Sequence, residues 1–196
     1  MGKTHGILEN FLSKKRANTV NKLIPVSHRS GKILDIGCGA YPFFLLNTEF
    51  ATKHGIERIT TQKVNQLHKQ EIYIKNYDIE KERIIPYDDN YFDVLTMLAV
   101  FEHITTNKLS QVLSEIYRIL KPGGKYILTT PAPFGDTILK IMSKFKLINS
   151  DLFDEHQDVY THEKVATLLN SVGFQKKNMC FGSFEIFMNL WIMATK

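Results

Sequence analysis

The sequence predicts an α/β fold, a parallel sheet wound with helices on both faces. Three observations predict it. Short apolar runs alternate with helix-compatible segments along most of the chain. The first of these runs, Ile33-Leu34-Asp35-Ile36, ends in a glycine-bracketed turn, Gly37-Cys38-Gly39. An acid, Glu57, stands 18 residues beyond Gly39 at the end of the second run, where folds of this kind bind ribose hydroxyls. Gly37 and Gly39 permit backbone conformations and a close ligand approach that a Cβ would block.

The elements follow in order. Ile7, Leu8, Phe11, Leu12, Val20, Leu23 and Ile24 repeat at largely helical spacing until Pro25. The first strand covers about residues 32–36. Pro42 suits the first turn of the helix after the glycine turn, whose free N–H groups and positive dipole end favour an anionic ligand. The second strand is about residues 53–57, and Thr61 is placed to cap a helix to about residue 70. Residues 72–75 make the third strand. The turn cluster Pro86-Tyr87-Asp88-Asp89-Asn90 feeds the fourth, residues 94–98.

Leu109, Val112, Leu113, Ile116 and Leu120 form one helical stripe, which Lys121-Pro122-Gly123-Gly124 ends. A fifth strand follows at 125–130. Residues 131–160 break the rhythm: Ile138, Leu139, Ile141, Met142, Phe145 and Leu147 suggest a short amphipathic helix, and 149–160 is polar and acidic. Thr161 then caps a helix through about Ser171, with Glu163 in its first turn and Gly173 just past its end. Residues 174–180 and 190–195 are the last two strands. No internal repeat appears, so the expectation is one domain over 1–196, with 1–30 a helical N-terminal segment and 131–160 a short acceptor-side insertion.

The 196 residues can bury a sizeable core, and 43% hydrophobic with 23% charged residues is ordinary for a soluble globular protein. No apolar run reaches the ~18 residues of a transmembrane helix, and no signal-peptide core is expected at the N-terminus. Met1-Gly2 opens like a myristoylation motif, but Gly6 stands where Ser or Thr is needed. Cys38 and Cys180 make neither a disulfide framework nor a metal quartet, which points to a reducing, cytoplasmic setting. Much of the net charge of +5 lies in Lys14-Lys15-Arg16, Lys144, Lys146, Lys176 and Lys177. It reads as a solvated surface or as a contact for a phosphate-bearing substrate or anionic membrane. No basic stripe interleaved with aromatics appears, so no nucleic acid is expected.

With Tyr77-Asp78-Ile79-Glu80, Phe92-Asp93-Val94, Phe101-Glu102-His103-Ile104 and Leu120-Lys121-Pro122-Gly123-Gly124 in order, the chain resembles the class I S-adenosylmethionine-dependent methyltransferases. The likeness is to the small-molecule- and glycan-methylating, type 11-like members, over roughly residues 30–196. Phe43 and Phe44, standing where a dinucleotide fingerprint needs a small third residue, argue against a nicotinamide enzyme. The resemblance implies a doubly wound Rossmann-like sheet of seven strands, mostly parallel with an antiparallel last strand. It implies S-adenosylmethionine as cofactor and S-adenosylhomocysteine as product.

It also implies roles. Asp35, Gly37 and Gly39 belong to the methionine end of the cofactor, with Asp35 on its ammonium. Glu57 accepts both ribose hydroxyls; its alternative is a surface salt bridge with Arg58 or Lys53. Asp78 meets the adenine amino group, Ile79 packs on the ring, and the Ala99 backbone lines the pocket. Asp93 fixes strand entry. Glu102 and His103 brace a loop, or His103 serves as a base. His156, Tyr160 and His162 border the acceptor, with His156 a base or a surface histidine. Phe181, Phe184, Phe187 and Trp191 are packing residues. The expected function is methyl transfer to an oxygen or nitrogen of a small-molecule or saccharide-type acceptor. A cofactor-binding module without turnover is the alternative. No metal-ligand spacing appears, and oligomeric state stays open.

Overall fold

The computed structural model describes residues 7–132, 160–185 and 188–196. Five helices are described: α1 (Ile7–Leu23), α2 (Phe43–Leu46), α3 (Thr61–His68), α4 (Thr106–Ile119) and α5 (His162–Ser171). The strands are β1 (Lys32–Ile36), β2 (Thr52–Glu57), β3 (Ile72–Asn76), β4 (Phe92–Leu98), β5 (Leu120–Pro131), β6 (Met179–Phe184) and β7 (Asn189–Thr195). They form one sheet in the order β3-β2-β1-β4-β5-β7-β6. The pairs from β3 through β5 are parallel, while β7 runs antiparallel to both β5 and β6. The expected seven-stranded, doubly wound sheet is the observed one.

Alternation along the strands sorts side chains to two cores. Leu34, Ile36, Leu95, Met97, Tyr126 and Leu128 face α4 and α5, whose Leu109, Val112, Leu113, Ile116, Val165 and Leu169 are buried against them. Ile33, Val94 and Ile127 face the other way, onto Ala17 and Val20 of α1, Phe44 and Leu45 of α2 and Leu67 of α3.

Several expectations need correction. The helix after the glycine turn is the single turn Phe43–Leu46, too short for the dipole expected of it. Thr60, not Thr61, occupies the N-cap of α3, and its side chain makes no cap hydrogen bond. Leu120-Lys121-Pro122-Gly123-Gly124 does end α4, but its residues are already strand. The β4–β5 register jumps there from Phe92↔Leu120 to Val94↔Lys125, so the proline and glycines make a bulge at the strand entrance. Leu120 thus leaves the helical stripe for the sheet. Residues 174–178 hold a 3₁₀ turn at Lys176–Asn178, and β6 begins only at Met179. Thr161 behaves as expected, its hydroxyl accepting from Lys164 N at 3.2 Å. The helix expected near 138–147 and most of the polar 149–160 stretch lie outside the described residues.

Candidate functional site

The carboxyl ends of β1, β2, β3 and β4 bring the expected cofactor residues to one rim of the sheet. Asp35 is 3% exposed on the α1-facing side of β1. Thr96 of β4 donates its hydroxyl to Asp35 Oδ1 at 2.7 Å. Burial drives the Asp35 carboxyl up to about 7, against the Thr96 hydrogen bond and with help from the charge of Glu57. Thr96 is the partner a buried acid needs, and nothing in residues 94–98 alone marks it.

Gly37 and Gly39 have φ of +71° and +72°, a region costly for any side chain. A Cβ on Gly37 would stand 2.5 Å from Val100 Cγ2, whereas a Cβ on Gly39 would meet nothing among the described residues nearer than Tyr41 O at 4.0 Å. The first glycine is forced by packing; the second opens onto space. Glu57 closes this turn: its Oε2 accepts from Gly39 N at 2.9 Å and its Oε1 from Arg58 N at 2.8 Å. Among the described residues it makes no ion pair with Arg58 or Lys53. Each oxygen takes one backbone hydrogen, so lone pairs remain for a diol.

Asp78 follows β3, tied to the end of β2 through Tyr77 N donating to Glu57 O at 3.1 Å. Burial opposes ionisation of Asp78, but the Glu80 N–H and the ammonium of Lys81 outweigh it and hold the carboxyl below its usual range. Arg58 lies 3.9 Å and Lys81 3.5 Å from its Oδ2. Ile79 packs against the α4-facing core. Ala99, at the end of β4, has φ +55°; its N–H donates to Thr129 O at 3.0 Å and Thr129 Oγ1 at 3.2 Å. A strained non-glycine residue at a strand end is a common mark of a site.

The helical N-terminal segment contributes a residue that the sequence reading left to a solvated surface or to a phosphate or membrane contact. Arg16 of α1, with Ser13 and Ala17, walls a cavity of about 120 Å³ whose other side is Asp35, Gly37, Cys38, Tyr41, Phe43, Phe44 and Leu98. Its Nε is buried without a hydrogen-bond partner. Burial lowers its pKa, while Glu102 and Glu185 pull it back up. The signal was there: Arg16, Val20 and Ile24 are spaced by four, and the last two are buried.

Past β4, Glu102 is 2% exposed and His103 half-buried in the 3₁₀ turn Phe101–His103. His103 N donates to Val100 O at 3.0 Å. His162 opens α5, and its Nε2 bonds the Gly182 carbonyl of β6 at 2.9 Å. Tyr160 is buried edge-on to Phe101, with ring centroids 4.8 Å apart. Both side chains make contacts within the fold. His156 and Phe187 lie outside the described residues. Asp93 fixes strand entry as expected, accepting from Lys32 N at 2.7 Å and pairing with Lys121 Nζ at 2.8 Å. Trp191 closes over Gly182, whose added Cβ would meet its ring at 2.4 Å, and Phe181, 41% exposed on the edge strand, packs edge-on to the His162 ring with centroids 5.6 Å apart. Among the described residues no group of His, Cys, Asp and Glu could hold a metal, and no helix is long and apolar enough to cross a membrane.

This rim belongs to a recognisable class. Residues 34–128 match a family described as "Methyltransferase domain". The fold matches that of an S-adenosylmethionine-dependent methyltransferase from Thermotoga maritima, described as a possible histamine N-methyltransferase. The TM-score is 0.71 at 19% identity, over 95% of this chain and 90% of that one. In sequence the chain is 30% identical over 84 residues to the mitochondrial 2-methoxy-6-polyprenyl-1,4-benzoquinol methylase of Bos taurus, covering 43% of this chain and 21% of that protein. It is 29% identical over 119 residues to a ubiquinone biosynthesis O-methyltransferase of Pseudomonas putida, 59% of this chain and 50% of that one. The chain thus spans half or less of the length of these curated relatives.

The match over residues 34–128 and the shared fold support the class I S-adenosylmethionine-dependent methyltransferases as the family this chain resembles. That likeness of family and fold implies S-adenosylmethionine as the cofactor, and the open space at Gly39 and the buried, unbonded Arg16 Nε fit such a ligand.

Proposed function

We propose that this protein transfers a methyl group from S-adenosylmethionine to an oxygen or nitrogen of a small-molecule or saccharide-type acceptor. One observation carries the reading. A carboxylate, Asp35, and a guanidinium, Arg16, wall the same cavity beside the glycine turn, a charge pattern suited to the zwitterionic amino-acid end of the cofactor. Asp35 takes the ammonium and Arg16 the carboxylate. Glu57 accepts the ribose hydroxyls with the lone pairs that Gly39 N and Arg58 N leave open. Asp78 and Ile79 receive the adenine.

When bound, the sulfonium supplies an activated methyl group. The chain's task is then to align the acceptor, exclude water and, where the acceptor is protonated, take a proton. His103 sits at the carboxyl end of the sheet for that last step; His156 is the second candidate. The names of the quinol- and ubiquinone-pathway relatives make phenolic hydroxyls the first acceptors to screen, with amines and sugar hydroxyls next. The two free cysteines suit a reducing cytoplasm.

Titration calorimetry with S-adenosylhomocysteine tests the reading, with nicotinamide dinucleotides expected to be silent. Arg16→Ala weakens that binding about tenfold or more, the loss of a charge-assisted contact. Tight dinucleotide binding with no response to S-adenosylhomocysteine sinks the proposal. Cofactor binding without product release across the acceptor screen leaves a binding module.

A further inference from the structure

A cavity of about 560 Å³ lies away from this rim. It opens at the edge of the sheet along β3, between α3 and the segment leading to β4. Its lining includes His54, His68, Tyr73, Lys75, Tyr87 and Tyr91. It exists because no described helix covers the sheet between β3 and β4: fifteen residues, 77–91, cross from one strand to the other without one. In their place stands a set of rings. His54 lies within 5.4–6.2 Å, centroid to centroid, of Tyr73, Tyr87, Tyr91 and Phe92. Tyr87 and Tyr91 stack at 5.8 Å and 24°. Tyr73 is 41% exposed on the edge strand.

A bare cage of tyrosines would suit a cation, but here the ring faces are taken. Lys32 Nζ stands 3.6 Å from the Tyr91 centroid and Lys75 Nζ 3.9 Å from that of Tyr87. Lys75 also donates to Pro86 O at 2.5 Å. Among the described residues neither ammonium is paired with a carboxylate; exposed Asp88 is the one acid in the lining. Burial, then Lys32 and Lys75, push His54 down to about 4, so the imidazole adds no charge at neutral pH. The volume lies within the range of small-ligand sites.

We propose that the ring-lined cavity beside β3, with Lys75 and Lys32 at its tyrosines, is a second binding site, for a planar aromatic anion. The ligand's ring lies against Tyr73 and His54, and its acid group meets the Lys75 ammonium. The site is separate from the cofactor rim: it uses the body of β3 and the turn before β4, whereas Glu57 ends β2 and Asp78 and Ile79 stand past the end of β3.

The probe is 2-naphthoate, titrated into the ¹⁵N-labelled protein with and without saturating S-adenosylhomocysteine. Saturable shifts are expected at the Tyr73, Lys75, Tyr87 and Tyr91 amides, whether or not the cofactor product is present or binds at all. Neutral 2-naphthalenemethanol binds at least about tenfold more weakly, as does naphthoate to Lys75→Gln. Tyr73→Ala weakens it independently of charge. Lys176→Gln, the same charge change on the far side of the sheet, leaves it unchanged. Absence of saturable shifts, equal binding of the alcohol, displacement by S-adenosylhomocysteine, or full binding by both Lys75→Gln and Tyr73→Ala overturns the proposal.

Discussion

The two halves of the sheet are built to different rules. On the β4–β7 side, α4 has 14 residues and α5 has 10, and both bury continuous stripes against the sheet. On the β1–β3 side, the 17-residue α1 packs on β1 and on the reverse faces of β4 and β5, but α2 has only four residues and α3 eight, and no helix is described between β3 and β4. The well-covered half holds most of the large fully buried rings, Phe92, Phe101, Tyr126, Tyr160 and Phe174. The thinly covered half holds Asp35, Glu57 and Asp78 at its strand ends. One half spends its sequence on packing; the other carries the carboxylates proposed to hold the cofactor.

The sharpest way to break this contrast is to damage the packed half. Phe174 lies 5.0 Å from Tyr117 and 6.0 Å from Tyr126, centroid to centroid. Phe174→Ala should cost about 3–5 kcal/mol in chemical denaturation, with S-adenosylhomocysteine affinity of the folded fraction unchanged. A large loss of affinity at equal folded fraction would show that the halves are coupled.

Next comes pH. Unfolded Asp35 titrates near its ordinary 3.8 and folded Asp35 near 7. Between those values the folded state holds the extra proton. Stability therefore falls as pH rises from about 4 to about 7 and levels off above. Asp35→Asn should flatten this slope and be the more stable protein at pH 8, by on the order of a few kcal/mol. Cofactor affinity should run the other way, rising from pH 6 to 8 as the carboxylate forms, with proton release detectable in buffers of unlike ionisation enthalpy. A slope that survives in Asp35→Asn refutes the assignment.

Glu57→Ala should weaken S-adenosylhomocysteine binding by about 1.5–3 kcal/mol, tenfold to a hundredfold. Because Glu57 also holds Gly39 N, a stability loss of about 1 kcal/mol should accompany it. Unchanged affinity would reassign Glu57 to bracing the turn. The smallest effects separate the two helix starts. Thr161→Ala should cost about 0.5–2 kcal/mol by removing a formed cap, whereas Thr60→Ala, which removes none, should stay within about 0.5 kcal/mol.

The packed half was also the more legible in sequence. Leu109, Val112, Leu113 and Ile116 announce α4 by period, and Thr161 with Glu163 announces α5 by its cap. Glycine spacing and the acid after β2 pointed to the rim. What could not be read was anything made by two distant segments. Thr96 meets Asp35 across a strand pair, and Arg16 reaches the rim only because α1 folds back over β1. The tyrosine-lined cavity depends on β3 lying across β2 and β1 from β4. The bulge at Lys121-Pro122-Gly123-Gly124 was misread because proline and glycine mark a break without saying whether helix or strand follows.

The place of β7 has a consequence for how the sheet is assembled. It lies between β5 and β6 and, among the described residues, supplies the only ladder β6 has. The chain therefore completes its sheet out of order: β6 is made first but has nothing to join until β7 has docked on β5. Until then β5 presents a bare edge from Lys125 to Pro131, seven positions that β7 later pairs, next to an unattached strand carrying Phe181 and Phe184. An uncovered edge beside a loose apolar strand is a template for wrong partners. A chain cut within residues 185–188 would lose two ladders for the deletion of one strand, and intermolecular association is its expected fate.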